Sequence, residues 1–189
     1  GRYSITLAKN GYDVTAVELV ESNLEVLKKN AEGLGNISAF QGDALNLGIF
    51  DDNTFDVTLL FGPMYHLYEE KDRHQALDEA IRVTKPDGVI LVAFLSVHAI
   101  MMNDYLSGNF KEGFTANFDE DYKVKHFTEQ AFTGFDIAEF EEMFEAKPVE
   151  YITTVATDSV LEIAERNPDF NMSDEDFSLF LNYQINICE

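Results

Sequence analysis

Residues 11–45 read GYDVTAVELVESNLEVLKKNAEGLGNISAFQGDAL, and this stretch decides the fold class. Two short apolar runs, Val14–Leu19 and Ile37–Gln41, are bounded by turn residues, as buried strands usually are. Between them, Ser22 and Glu25 have the spacing of a capping box, ahead of an amphipathic helix that stops near the glycines of GLGN. The stretch therefore predicts a strand, a helix and a second strand, in that order.

The same alternation continues to residue 96. Phe55–Phe61 and Val89–Leu95 predict two further strands, and Asp72–Val83 predicts the helix that separates them. The sequence KPDG at residues 85–88 predicts a turn from this helix into the last strand, because proline and glycine interrupt helices. Alternating strands and helices predict an α/β fold with a doubly wound, mostly parallel sheet and helices on both faces.

The chain opens on GRYS, and the following residues RYSITLAKN predict a helix. Gly1 is then interpreted as the last position of a glycine-rich turn that joins a first strand to this helix. By this interpretation the chain is truncated at both ends, and Val89–Leu95 is the fifth strand of the complete sheet. A sheet that lacks its first, central strand leaves unpaired backbone groups on the second and fourth strands.

Composition narrows the class of protein. A chain of 189 residues with 46% hydrophobic and 25% charged residues fits one domain, and its formal net charge of -22 argues against nucleic acid or an anionic membrane as partner. No apolar run reaches the roughly 20 residues of a membrane span, which favours a cytoplasmic protein. The single cysteine, Cys188, cannot form an internal disulfide. No metal site is predicted, because the histidines are scattered: His66, His74, His98 and His126.

Four stretches of the chain, in order, resemble the class I S-adenosylmethionine-dependent methyltransferase family: GRYSITLAKNGYDVTAVELVESNLEVLKKN, GDALNL, FDVTLLFGPMYHL and ALDEAIRVTKPDGVILVAF. The resemblance implies one Rossmann-like methyltransferase domain over residues 1–189. It also implies S-adenosylmethionine as cofactor and, with the acidic composition, a small molecule as substrate. The oligomeric state is not predicted.

The resemblance also implies which residues contact the cofactor. Glu18 would accept hydrogen bonds from both ribose hydroxyls, although it is alternatively an ordinary acidic residue at a strand end. Asp43 would accept from the adenine amino group, although Gly-Asp is also common turn chemistry. The full implied set is Gly1, Arg2, Tyr3, Glu18, Leu19, Asp43, Ala44, Phe61 and Gly62.

The turn FGPMYHLY, residues 61–68, holds the candidate catalytic residues Tyr65 and His66. Pro63 fixes this turn, so that both side chains are expected near the methyl group of the cofactor. His66 is a candidate base for an acceptor hydroxyl or ammonium, because its unperturbed pKa is about 6.5. The alternative is that Tyr65 and His66 only shape the pocket or cap the next helix.

Residues 97–135, here called the lid segment, interrupt the alternation and are interpreted as an insertion that covers the site and selects the substrate. Its rings would bind an apolar acceptor or surround a cation, or they form a small core of their own. FDEDYKVKHF predicts a strand or hairpin within it. Its aromatic residues are Tyr105, Phe110, Phe114, Phe118, Tyr122, Phe127, Phe132 and Phe135.

After the lid segment, Asp136–Ala146 predicts a helix and Val149–Ala156 a strand, followed by helices at about residues 158–166 and 173–187.

Three function classes remain open on the sequence alone. The first is a methyltransferase that acts on a small molecule. The second is an NAD(P)-dependent oxidoreductase on a related fold, against which the FGPMYHL turn argues, because hydride transfer does not need it. The third is a non-catalytic module that binds a nucleoside.

Overall fold

The computed structural model describes residues 1–106, 108–127, 130–156 and 164–187. Strands and helices alternate through Val92, as the sequence predicts. In chain order the elements of this part are α1 (Arg2–Lys9), β1 (Val14–Glu18), α2 (Glu21–Asn30), β2 (Ile37–Gln41), β3 (Phe55–Leu60), a 3-10 turn (Pro63–His66), α3 (Glu70–Val83) and β4 (Thr84–Val92).

The strands form two parallel pairs. β1 pairs with β2 from Val14 opposite Ile37 to Glu18 opposite Gln41, and β3 pairs with β4 over most of its length. Within the described residues, β1 and β3 each have a ladder partner on one side only. The predicted parallel sheet is therefore present as two pairs of parallel strands.

The connection between the two pairs is packed by aromatic rings and held by α3. Phe50 lies 5.8 Å from the ring of Phe40 on β2 and 5.2 Å from the ring of Phe55 on β3, in edge-to-face geometry. From α3, the carboxylate of Glu79 accepts a 2.5 Å hydrogen bond from the Leu47 amide. The segment after β2 is therefore fixed against α3.

One cluster of buried side chains joins β3, the turn after it, α3 and the end of the lid segment. Ala44 and Leu45, which follow β2, pack partly buried against this cluster. The lid segment contributes Phe135, which is completely buried. The fully or nearly buried members are Leu60, Met64, Ala76, Leu77, Ala80, Phe135 and Phe140.

The predicted capping box is wrong. Helix α2 begins at Glu21 with Val20 at its N-cap, and no side chain caps it. Ser22 lies inside the helix, so it cannot bond the first free amides as an N-cap residue does. Instead, the side chain of Glu18 accepts a 3.1 Å hydrogen bond from the Val20 amide.

The turn predicted at KPDG is a bulge inside β4. The strand starts at Thr84, directly after α3, because Phe55 pairs with Thr84 and Val57 with Val89. The four residues between Thr84 and Val89 bulge out, with Asp87 at a φ of +63°. The KPDG sequence therefore does interrupt regular structure, but it interrupts strand β4 and does not separate α3 from the strand.

The lid segment contains α4 (Val97–Ile100), a π-helical turn (Met101–Tyr105) and α5 (Phe110–Asn117). The predicted hairpin is present in a short form, since Phe118 forms an antiparallel bridge with Val124 and the Asp119 amide donates to the Lys123 carbonyl over 2.9 Å.

Beyond the lid segment, the predicted helix is shorter than expected and spans α6 (Ile137–Glu142), with the side chain of Asp136 accepting from the Ala138 amide. The strand predicted at 149–156 is wrong. This stretch has no strand pairing, and Tyr151 and Ile152 are largely exposed. The C-terminal helix Asp174–Ile187 is confirmed, whereas most of the helix predicted at 158–166 falls outside the described residues.

Candidate functional site

Glu18 and Asp43 lie at the carboxyl ends of neighbouring parallel strands. Glu18 is opposite Gln41 in the ladder, and the Gly42 amide extends the pairing with a 3.1 Å hydrogen bond to the Glu18 carbonyl. Asp43 is the next residue. Because the strands are parallel, both acids lie at the same edge of the pair, which is where ligands bind in sheets of this kind.

Each acid is oriented by a hydrogen bond to its own turn. Glu18 accepts from the Val20 amide over 3.1 Å, and Asp43 accepts from the Leu45 amide over 3.0 Å. In both cases one carboxylate oxygen makes the bond. No donor among the described residues is bonded to the other oxygen of either side chain, so each acid retains acceptor capacity.

Close packing brings the two turns together. A side chain on Gly42 would place its Cβ 2.9 Å from Cγ1 of Val17 on β1, so this position needs glycine. The Gln41 side-chain amide donates to the Leu19 carbonyl over 3.4 Å. Leu19 itself is 62% exposed.

The start of α1 lies beside the end of β3. The rings of Tyr3 and Phe61 are 5.0 Å apart in edge-to-face geometry. Gly1 is packed against α2, because a Cβ there would lie 2.9 Å from Cδ1 of Leu27. Arg2 is exposed. The structure thus brings Tyr3 and Phe61 into contact and gives Gly1 a packing role that the sequence did not predict.

The turn after β3 presents Tyr65 and His66 side by side. Gly62 has a φ of +124°, which residues with a side chain rarely adopt, and Pro63 starts the 3-10 turn. Met64 points into the core and is fully buried, whereas the rings of Tyr65 and His66 lie 5.0 Å apart outside it. The buried Met64 thus anchors the turn that carries Tyr65 and His66.

The lid segment contacts this turn directly. The Thr133 amide donates to the Tyr65 carbonyl over 2.9 Å. The ring of Phe132 lies 5.9 Å from that of Tyr65 and 5.1 Å from that of His66. The end of the lid segment and the candidate catalytic turn therefore form one local structure.

Arg73 is a residue of this region that the sequence analysis missed. It is 5% exposed, and its guanidinium donates to the carbonyls of Leu67 and Tyr68 over 3.2 and 2.7 Å. Burial lowers its pKa, although the nearby carboxylates of helices α3 and α6 act in the opposite direction. Its position three and four residues before the apolar Ala76 and Leu77 was an available signal, because a charge on a buried helix face needs partners.

A partly buried histidine supports the buried side chain of Thr133. His126 lies between the hydroxyl of Thr133, 2.5 Å from Nδ1, and the carboxylate of Glu139, 2.6 Å from Nε2. Thr133 is fully buried. This chain of hydrogen bonds ties the lid segment to α6 behind the turn that carries Tyr65.

A family model described as a methyltransferase domain matches residues 1–92. The resemblance of these residues to the class I S-adenosylmethionine-dependent methyltransferase family, expected from the sequence, is thereby confirmed. The match covers both strand pairs and the turn that holds Tyr65 and His66, and it ends before the lid segment. S-adenosylmethionine is the cofactor of this family.

Curated relatives are similar to part of the chain. A demethylmenaquinone methyltransferase from Staphylococcus epidermidis is 44% identical over 79 residues, which are 41% of this chain and 31% of the relative. The enzyme of the same name from Clavibacter sepedonicus is 36% identical over 97 residues, or 51% of this chain and 38% of the relative. The chain thus spans about a third of the length of these relatives.

Solved structures show the same fold at low identity. The PH0226 protein of Pyrococcus horikoshii aligns with a TM-score of 0.58 and 22% identity, over 76% of this chain and 66% of that protein. A SAM-dependent methyltransferase from Methanosarcina mazei gives a TM-score of 0.56 and 18% identity, over 75% and 71%. The Rossmann-like α/β fold predicted from the sequence is confirmed.

Among the residues that the structure describes, no helix combines the length and the apolar character needed to cross a membrane.

Proposed function

We propose that this chain binds S-adenosylmethionine at the carboxyl ends of β1 and β2, and that its methyl group is transferred to a small-molecule acceptor beside Tyr65 and His66. The observation that supports this most directly is the register that places Glu18 and Asp43 at one edge of a parallel strand pair. An acid after each of two adjacent strands suits a ligand with several hydrogen-bond donors, such as a nucleoside.

The geometry of the edge fits the cofactor. Glu18 and Asp43 each have an oxygen that is oriented by the backbone and retain capacity for further donors. The exposed Leu19 offers an apolar surface next to Glu18 for the adenine, and Ala44 follows Asp43. Acceptors for hydroxyl and amino groups, with an apolar surface between them, are what the adenosine part of the cofactor requires.

At the other end of the site, Phe61 and Gly62 would lie along the methionine part of the cofactor, with Arg2 and Tyr3 at the start of α1. The positive φ of Gly62, followed by the 3-10 turn, supports a position for Tyr65 and His66 beside this part of the cofactor. When bound, the cofactor supplies a methyl group that is already activated toward nucleophiles.

The task left to the protein is to hold the acceptor in line and to accept its proton where it has one. His66 is exposed and sits beside Tyr65, so its ring can take a proton from an acceptor hydroxyl or ammonium. The lid segment would close over this acceptor as a selectivity element.

The acceptor is proposed only as a small molecule. The curated relatives are named for demethylmenaquinone, but the chain covers about a third of their length. The family match also ends at residue 92, before the residues that would select the acceptor.

Calorimetric titration of the full chain tests the proposal, with S-adenosylmethionine, its demethylated product and the oxidised nicotinamide dinucleotide as ligands. We expect binding of the first two and none of the third. Binding of the dinucleotide alone would favour the oxidoreductase and end the proposal. Binding of neither S-adenosylmethionine nor the dinucleotide would favour the non-catalytic module and would also end the proposal.

Substitution of Glu18 tests the position of the site. Glu18→Ala removes hydrogen bonds to the ribose, so we expect cofactor affinity to fall about 10-fold to 100-fold, since a bond to a charged group contributes about 1.5–3 kcal/mol. The thermal midpoint should change little. Glu18→Gln keeps an acceptor for the Val20 amide and separates loss of this local bond from loss of the ligand contact.

Glu25→Ala is the matched control, because Glu25 is an exposed carboxylate on the neighbouring helix α2. It should leave both affinity and midpoint unchanged. If the Glu18→Ala variant has a clearly lower thermal midpoint but binds the cofactor with normal affinity, the carboxylate is structural and the proposed site is wrong.

A further inference from the structure

Phe132 is an exposed aromatic residue at the start of an otherwise buried stretch. It is 51% exposed, whereas the next three residues, Thr133, Gly134 and Phe135, are buried. A Cβ on Gly134 would lie 2.9 Å from the Cα of Val97, so the backbone packs tightly there. Phe132 is thus held outward by a fixed backbone and contributes little to the core.

Other rings of the lid segment behave differently. Phe114 stacks on Phe118 at 5.2 Å and meets Tyr122 at 5.4 Å, which forms a small cluster inside the segment. The ring of Phe132 instead contacts Tyr65 and His66, the candidate catalytic pair. The two alternatives for the lid aromatics therefore apply to different residues, and Phe132 is the one that reaches the site.

The spacing of the three rings indicates what they can bind. Phe132, Tyr65 and His66 are in mutual contact, with centroids 5.0 to 5.9 Å apart and interplanar angles of 46° to 69°. A cation cage needs open space between ring faces for the ligand to approach each within about 6 Å. Rings already packed on each other leave no such space, so a ligand can meet only their outer faces and edges.

The position of this surface is fixed from behind. The Thr133 amide holds the Tyr65 carbonyl at 2.9 Å, and the hydroxyl of Tyr68 donates to the Gln130 carbonyl over 2.5 Å. His126 and Glu139 in turn hold the side chain of Thr133. A preorganised surface loses little entropy when a rigid ligand binds to it.

We propose that Phe132 is a specificity-determining residue that contacts the methyl acceptor together with Tyr65 and His66, and that the three rings select a flat, apolar ring system. This inference rests on the proposed methyl-transfer function, because it assigns the acceptor class of the same site. A planar acceptor can stack on the face of one of these tilted rings and meet the others at their edges, whereas a puckered one of the same size touches them at few points.

The test uses the full chain saturated with S-adenosylhomocysteine and two probes that share a carbon skeleton, 2-naphthol and decahydro-2-naphthol. We expect the planar probe to bind about five- to tenfold more tightly than the saturated one. Phe132→Ala should abolish this preference and weaken 2-naphthol binding tenfold or more, while Phe132→Leu keeps apolar bulk and weakens it less.

Phe110→Ala is the matched control, since Phe110 lies in the same lid segment with almost the same exposed fraction, 52%. It should leave both affinities unchanged. The thermal midpoint of each variant is measured alongside, and the Phe132 variants are expected to match the wild type.

Equal affinity for the two probes, or an unchanged preference in Phe132→Ala, would overturn the inference. Stronger binding of tetramethylammonium than of 2-naphthol would also overturn it in favour of a cation site. Titration of each Phe132 variant with S-adenosylhomocysteine shows whether a lost preference comes from the ring surface or from lost cofactor binding. If the chain binds 2-naphthol through Phe132 but does not bind the cofactor, the ring surface is supported and the proposed methyl-transfer function is not.

Discussion

Residues 1–92 and the lid segment are held together in different ways. In residues 1–92, one parallel ladder joins β1 to β2 over five residue pairs, and a second parallel ladder joins β3 to β4. In the lid segment the described β contacts are isolated bridges, such as Ser96 with Phe135 and Phe118 with Val124, together with ring contacts and side-chain hydrogen bonds. Residues 1–92 thus depend on repeated backbone hydrogen bonds between strands. The lid segment depends on a few residues that attach it to the rest of the chain, here called anchors.

This difference explains where function can vary. A ladder spreads stability over many equivalent backbone bonds, so few single side chains decide it. A segment fixed at a few anchors can change the side chains between them without losing its attachment, which suits a region that selects substrates. Phe135 has the largest of the fully buried side chains among the described residues, and it lies in the cluster that also holds Leu77 of α3.

The largest effect should come from removing this anchor. Phe135→Ala leaves a cavity at the point where the lid segment joins the core, and we expect a loss of about 3–5 kcal/mol in the free energy of unfolding. Phe114→Ala, within the cluster of the lid segment itself, should cost distinctly less because Phe114 is only partly buried. Urea denaturation of both variants measures the two costs.

Similar costs for Phe114→Ala and Phe135→Ala would contradict the distinction between anchors and intervening residues. Two separate unfolding transitions in the wild type would contradict it in another way, since they would show that the lid segment is stable without the shared core.

Most of the fold of residues 1–92 could be predicted because its signals are local. The period of apolar residues identified β1, β2 and β3 to within one residue, since each strand is a short apolar run between turn residues. The two wrong predictions have different causes. The capping box is wrong for a local reason, because Val20 and not Ser22 takes the N-cap position, whereas 149–156 is apolar enough for a strand but pairs with none of the described strands.

The candidate site, like the fold, was predictable only where its signals are local. Glu18 and Asp43 follow predicted strands, so their common edge followed from parallel pairing. The contacts of Arg73 with Phe135 and of Phe132 with His66 join segments that are more than 60 residues apart, which no local pattern records. A buried arginine on an apolar helix face was a usable sign, whereas one phenylalanine among the many of the lid segment was not.

A smaller loss of stability should come from a substitution in the bulge of β4, where the ladder with β3 is interrupted. A Cβ on Gly88 would lie 2.8 Å from the Lys85 carbonyl oxygen and 2.9 Å from the Asp56 carbonyl oxygen. Because these are backbone atoms that cannot move freely, we expect Gly88→Ala to cost about 1–3 kcal/mol of unfolding free energy. Gly35→Ala is the control, since a Cβ at Gly35 would meet nothing within 4 Å. Equal stability of the two variants in urea would show that the bulge adapts.

The smallest effect concerns the clamp between α3 and the segment after β2, where side chains reinforce the ladder region. Glu79 accepts from the Leu47 amide and is paired with Arg82 at 2.7 Å. The hydrogen bond from Arg82 holds the pKa of Glu79 below its usual value of 4.5, despite partial burial. The stabilisation is therefore complete above about pH 4.5 and is lost as the pH falls through the lower pKa of the folded state.

Glu79→Gln keeps an acceptor for Leu47 but does not titrate, so the wild type should be more stable than the variant near pH 7 and this advantage should shrink below pH 4.5. Other carboxylates titrate in both proteins and cancel in the difference. Urea denaturation at several pH values measures it, with Glu25→Gln as an exposed control that shows no such trend. Equal stability of the two proteins at every pH down to 3 would mean that Glu79 acts only through its hydrogen bond to Leu47, which the variant keeps, and that the charge on Glu79 contributes nothing to the clamp.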